Sequence, residues 1–250
     1  MSRVFFFSVL LATSSWAAFT GQSDIEVSAD SDFQSQDVGV VRIRCRVDQH
    51  IHFFRGTVID NAQPESAWDV VLTTLHGLPD DVDIVTDRCV VVDAFGEELE
   101  LQAVWLPPLR GRVSPSDWAV LLTEERIAGI SGRLRVSATP SSEPMRLMQS
   151  GAPVRLPLFK PIAERPCGLI QSELTNSPGN PTLFAHTCRA WPGHSGSPIL
   201  MSKNGRALLV GIHLGRRRNH FTGMQYGVGR AVDSTIIAAI DAAIERGNRD

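Results

Sequence analysis

Short β-prone runs, broken by Gly, Pro, Asp or Asn, recur along most of this chain and leave little room for any fold but an all-β one. The clearest is VVRIRCRV. Val41, Ile43, Cys45 and Val47 face one way and Arg42, Arg44 and Arg46 the other, which is the period-2 pattern of a half-buried strand. FFRGTVI, WDVVLTTL, CVVVDAF, ELELQAVWL, WAVLLT, GRLRVSA, VRLPLF, RALLVGIHL and MQYGVGRAV follow at similar spacing. Short strands so spaced predict a sandwich or barrel. Only the C-terminal end reads as helix. Asp233 or Ser234 caps it, and Ile236, Ile240 and Ile244 form an apolar stripe at i, i+4, i+8. No internal repeat is present, and Thr123 to Ser131 (TEERIAGIS) is the predicted linker between two β halves.

A chain of 250 residues suffices for one large domain or two packed small ones, and 43% hydrophobic with 20% charged residues is a globular composition. The formal charge of −3, the single Tyr and the absence of basic runs interleaved with aromatics argue against nucleic acid or an anionic membrane as partner. Nothing in the sequence specifies an oligomeric state.

Residues 1–17 have the layout of a secretory signal. Arg3 starts it, Val4 to Thr13 form a short apolar run, and Ser15-Trp16-Ala17 is a small-x-small cleavage site. The run stops short of the roughly 20 residues a membrane span needs. The acidic, Ser-rich residues 18–37 read as a flexible tail or pro-segment. The expectation is therefore an exported protein, periplasmic or extracellular, with no membrane attachment after signal removal. In an oxidising compartment Cys45, Cys89, Cys167 and Cys188 read as two disulfides rather than as thiols or zinc ligands, with no C-x-x-C spacing present. Three pairings are open; Cys45–Cys89 with Cys167–Cys188 keeps each bridge within its own half.

AWPGHSGSPIL, Ala190 to Leu200, presents Ser195 among small residues. A serine nucleophile needs a base within hydrogen-bond reach and an acid that orients the base. His76, directly after VVLTTL, is projected by the end of a strand. Asp117, just before WAVLL, sits at a strand start where a buried carboxylate would need a partner such as an imidazole N–H. Singly, each has a bland reading: a surface or core histidine, a turn aspartate, a Gly/Pro-rich turn.

Together they resemble a family. TTLHGL is similar to the T-A-A-H segment of trypsin-like (chymotrypsin-fold) serine endopeptidases, DWAVL to their D-I-A-L-L segment and GHSGSP to their G-D-S-G-G-P, in the same His, Asp, Ser order. The resemblance runs from about Val38 to the C-terminus. It implies two six-stranded antiparallel β-barrels, residues 38–126 carrying His76 and Asp117 and residues 127–250 carrying Ser195 and a terminal helix. It also implies a catalytic triad of these three residues, an oxyanion hole from the N–H groups of Gly193 and Ser195, a peptide or protein substrate, and no cofactor or metal. The α/β-hydrolase alternative fails, because position 197 is Ser rather than Gly and the chain order differs.

Two departures stand out. His194 occupies the place of an aspartate that receives a freed N-terminal ammonium in many relatives, so activation by N-terminal insertion is not expected. Gly77 replaces a half-cystine beside the base, and Cys45–Cys89 is expected to brace that barrel instead. The Ser-Gly-Ser-Pro ending and GIHLG resemble the exported bacterial branch with its glutamyl endopeptidases. That resemblance places Ala190, His213, Leu214 and Gly215 at a substrate pocket. His213 with Arg216, Arg217 and Arg218 would favour an acidic side chain; the plainer reading is a solvated arginine loop. Ala190 stands where a hydroxyl residue is expected, and Arg189 argues against cleavage after Lys or Arg. His50, His52 and His186 lack a third metal ligand at suitable spacing and read as structural or surface residues. A catalytically silent peptide-binding module and an esterase are the alternatives to a secreted endopeptidase.

Overall fold

The computed structural model describes residues 39–47, 49–61, 66–79, 83–93, 95–107, 112–128, 133–135, 153–155, 167–170, 182–188, 190–203 and 206–249. The predicted signal and the 18–37 segment lie outside these residues. Among the described residues the strands are β1 (Val40–Val47), β2 (His50–Asp60), β3 (Val70–Thr73), β4 (Cys89–Val92), β5 (Glu98–Trp105), β6 (Ala119–Thr123), β7 (Leu134–Arg135), β8 (Pro153–Arg155), β9 (Cys167–Ile170), β10 (Leu183–His186), β11 (Pro198–Lys203), β12 (Arg206–Arg218) and β13 (Gln225–Ala231). Helix α1 spans Asp83–Arg88 and α2 spans Ser234–Gly247.

The class is all-β, as expected. The N-terminal strands form a curled sheet in the order β1-β4-β5-β6-β3-β2-β7, with β1 also pairing β2, and the C-terminal strands close a six-stranded antiparallel barrel, β10-β13-β12-β11-β8-β9. The architecture is consistent with a chymotrypsin-like fold. The first sheet exceeds the expected six antiparallel strands by one, because β7 lies parallel to β2 through Ile59–Leu134 and Asp60–Arg135. β7 falls within the predicted run GRLRVSA; its parallel pairing with β2 is a matter of tertiary packing that no alternation within the run encodes.

β1 behaves as its alternation requires. Val41, Ile43 and Cys45 are buried, and Arg46 is exposed. Cys45 sits directly opposite Cys89 on β4, with Cα atoms 4.1 Å apart, and the two form a disulfide. Cys188 is also disulfide-bonded, and no described cysteine is free; the side chain of its expected partner, Cys167, lies outside what is described.

β3 and β6 are buried on both faces, which explains why VVLT and AVLLT are uninterrupted rather than alternating. Val71 and Leu121 pack inside the first sheet with Ile43, Phe54 and Val91. Val70, Leu72, Val120 and Leu122 face the other way, into a cluster with Ile212 and Val228 of the second barrel and Ile236 and Ile240 of α2. The curled sheet and the closed barrel thus share a core along these strands, and each large apolar side chain buried there contributes about 1.5–3 kcal/mol.

α2 starts where the sequence places it. Of the two candidate caps Asp233 serves, its Oδ1 accepting the N–H groups of Thr235 and Ile236, both at 3.1 Å. The short α1 corrects the expectation of a single terminal helix. At six residues it is too short for an apolar repeat, with Val85 buried at 0% exposure.

Candidate active site

Antiparallel pairing of β3 with β6 brings Thr73 opposite Ala119. The end of one strand therefore meets the start of the other. His76 lies in a 3₁₀ turn, Leu75–Gly77, just past β3, and Asp117 lies two residues before β6. Asp117 is fully buried. His76 Nδ1–H donates to its Oδ1 and Oδ2, at 3.0 and 2.8 Å, and the His76 backbone N–H donates to Oδ1 at 3.0 Å. The Val113 N–H adds a further bond to Oδ2 at 2.7 Å. Val113 has φ +55°, a costly conformation for a β-branched residue, and it sits beside this bond to the acid. With the proton on Nδ1, the bare Nε2 faces Ser195 Oγ at 3.1 Å.

Gly77 beside the base carries the ring of Phe54. A Cβ there would lie 2.8 Å from three Phe54 ring atoms. The buried ring fills the place where the resemblance puts a half-cystine, so apolar packing supports the turn under His76.

The Ser195 loop is fixed by bonds to both the curled sheet and the closed barrel. From β2, Arg55 N–H donates to Ser195 O at 2.7 Å and Thr57 Oγ1 to Gly196 O at 3.1 Å. From β12, the His213 carbonyl accepts the Gly196 N–H, and the His213 N–H donates to Ser197 O, both at 2.8 Å. Gly196 has φ +86°, and a Cβ on it would lie 1.9 Å from the Arg55 carbonyl oxygen, so only glycine fits. Trp191-Pro192-Gly193-His194 closes as a β-turn, with His194 N–H donating to Trp191 O at 3.1 Å. Pro in the second place and Gly193 at φ +90° in the third are the type II pattern.

A pocket of about 360 Å³ adjoins this loop, with His186, Thr187, Ala190, Trp191, Arg216 and Gln225 among its walls. Of the residues expected there, Ala190 lines it. His213 and Leu214 instead adjoin the Ser195 loop, the Leu214 carbonyl oxygen lying 3.2 Å from Ser195 Oγ as an alternative acceptor to His76 Nε2 for its one proton. Gly215 faces Val113 of the acid's loop. Arg189 lies outside the described residues. Arg216 is the one formally charged side chain among the described walls, and it bonds Gln225 Oε1.

His186, read from sequence as structural or surface, is fully buried beneath this pocket. Its Nε2 is 3.0 Å from His213 Nδ1, while its own Nδ1 has no partner among the described residues. An orphaned acceptor costs less than an orphaned donor. His186 therefore carries its proton on Nε2 and donates to His213. Burial pushes His186 down to about 3, and burial followed by the charge of His186 holds His213 well below the ordinary imidazole range. Both are neutral near pH 7. His50 and His52 are exposed on β2.

Sequence reasoning located His76, Asp117 and Ser195, which the fold brings together. It did not find Arg55, Thr57 or Val113. Arg55 and Thr57 look like ordinary members of a strand, and Val113 is unusual only in its backbone. No protein-family model matches the chain, and no curated protein matches it.

Proposed function

We propose that the chain is a serine endopeptidase of trypsin-like type, hydrolysing peptide bonds with Ser195 as nucleophile. The observation that carries this reading is the continuous line of bonds from Asp117 through His76 Nδ1 and Nε2 to Ser195 Oγ. Ser195 Oγ attacks the scissile carbonyl carbon while His76 Nε2 takes its proton. The N–H groups of Gly193 and Ser195 stabilise the oxyanion, and His76 returns the proton to the leaving amine. Water, activated by the same base, then cleaves the acyl-enzyme. The buried carboxylate of Asp117 stabilises the imidazolium formed in between.

Arg216 gives the pocket a preference for an acidic side chain, with neutral His186 below it. The cross-strand disulfide fits an oxidising compartment, in keeping with export.

The mature protein should label at Ser195 with a fluorophosphonate, and His76→Ala and Ser195→Ala should abolish labelling. Folded protein that never labels would overturn the reading in favour of a silent binding module. Turnover of esters without turnover of unactivated amides would replace the endopeptidase with an esterase. A peptide library should show cleavage after Glu or Asp, with Arg216→Gln flattening that preference.

A further inference from the structure

Trp191 is gripped twice by one residue. The His194 backbone N–H bonds its carbonyl at 3.1 Å, and the Trp191 N–H donates to His194 Nδ1 at 3.2 Å. The turn between them contains Gly193, whose N–H is assigned to the oxyanion. The ties from Arg55, Thr57 and His213 act at or after Ser195, while the Ser197 N–H donates to the His194 carbonyl at 3.0 Å. The His194 side chain, in a residue 8% exposed, thus bonds the first residue of the turn.

We propose that His194 is a positioning residue for the oxyanion turn: Nδ1, by accepting the Trp191 N–H, sets the orientation of the Gly193 N–H. This inference rests on the endopeptidase reading above. A chain with an aspartate at this place can use an ion pair to hold the loop. Here an imidazole does so with an uncharged hydrogen bond. Nδ1 must stay unprotonated, since a proton there would confront the Trp191 N–H with a second donor. The surroundings favour that state. Burial and then the Arg55 guanidinium lower His194 to about 4. The Arg42 charge acts on Arg55 in turn, and the rings of His194 and His213 also act on one another. None of them is an anion that would draw a proton onto the ring.

The test compares His194→Ala, His194→Asn and His194→Gln in the mature enzyme. Asn Oδ1, bonded to Cγ as Nδ1 is, reproduces the acceptor; Gln places its acceptor one bond further out. The Ala variant should lose on the order of 100-fold in kcat, approaching the loss of one oxyanion donor, with KM changed by no more than about twofold. The Asn variant should recover most of this and the Gln variant little. In the wild type the acid limb of log kcat should steepen from a one-proton to a two-proton slope near pH 4. In the Asn variant it should remain at one. Wild-type kcat in the Ala variant overturns the proposal. So does an Asn variant that melts like the wild type but is no more active than the Gln variant, a comparison that serves even where Ala fails to fold. A wild type that never labels sinks the endopeptidase reading and this proposal together, whereas an active wild type with an equally active Ala variant sinks this proposal alone.

Discussion

Arg230, on the last strand of the second barrel, donates from Nε to the carbonyl of Pro115, two residues before Asp117 in the first, at 2.7 Å. The same guanidinium bonds Asp233 Oδ2 at 2.8 Å and the Ala231 carbonyl, and it is 4% exposed. One buried cation thus joins the cap of α2 to the loop that carries Asp117. Arg217 adds a second tie, to Val113 O at 3.1 Å. Removing Arg230 leaves Asp233 with an uncompensated charge. Arg230→Ala should cost about 3–5 kcal/mol, lowering the melting temperature by roughly 10 °C, and should reduce kcat more than KM. A melting temperature unchanged within about 1 °C would refute this account.

Gly196→Ala should be far worse than an ordinary surface change. The added methyl would meet the Arg55 carbonyl at 1.9 Å and Thr73 Oγ1 at 2.6 Å, on a backbone with φ +86°. The loop would have to leave β2, breaking the Arg55–Ser195 bond that sets the distance to His76. Fluorophosphonate labelling should vanish even in whatever fraction remains folded by circular dichroism. Normal labelling would show that this docking is dispensable.

Phe54→Ala removes the ring that Gly77 rests on. A buried Phe truncated to Ala costs about 3–5 kcal/mol, measurable by urea denaturation. Because the cavity opens under the 3₁₀ turn, activity should fall along with stability, unlike a truncation remote from the site such as Phe95→Ala, where the side chain is 75% exposed. Full activity in the surviving folded Phe54→Ala protein would separate the packing from the placement of His76.

Three buried histidines make stability depend on pH. Unfolded, each takes up a proton near pH 6.5. Folded, His194 does so only near 4 and His186 near 3, with His213 also held low, all chiefly through burial. Between these values the unfolded chain binds more protons than the native one, so stability rises with pH. The contribution is complete above about pH 6.5 and is lost progressively as pH falls toward 4. Urea midpoints measured from pH 7 to pH 4.5 should drop steeply, and His194→Asn should make the decline shallower. A flat profile across this range would contradict neutral burial of the three rings.

Most strands, the terminal helix and the His76, Asp117, Ser195 order can be read along the chain. The alternation in VVRIRCRV, the unbroken apolar runs of β3 and β6 and the Asp233-capped Ile stripe of α2 are local patterns, set by which faces must be buried. His76, Asp117 and Ser195 were legible because each follows or precedes such a run in a recognisable setting. Tertiary structure alone decided what surrounds them. Arg55 reaches Ser195 across 140 positions only because β2 docks on the Ser195 loop, and Arg230 reaches Pro115 across 115. The His186–His213 pair exists because a barrel closes over both rings. Such contacts depend on how two sheets curl and pack, and no periodicity within a strand encodes them. The same holds for the short helix α1, which is stabilised by the core it joins rather than by a pattern of its own, and for the parallel pairing of β7 with β2.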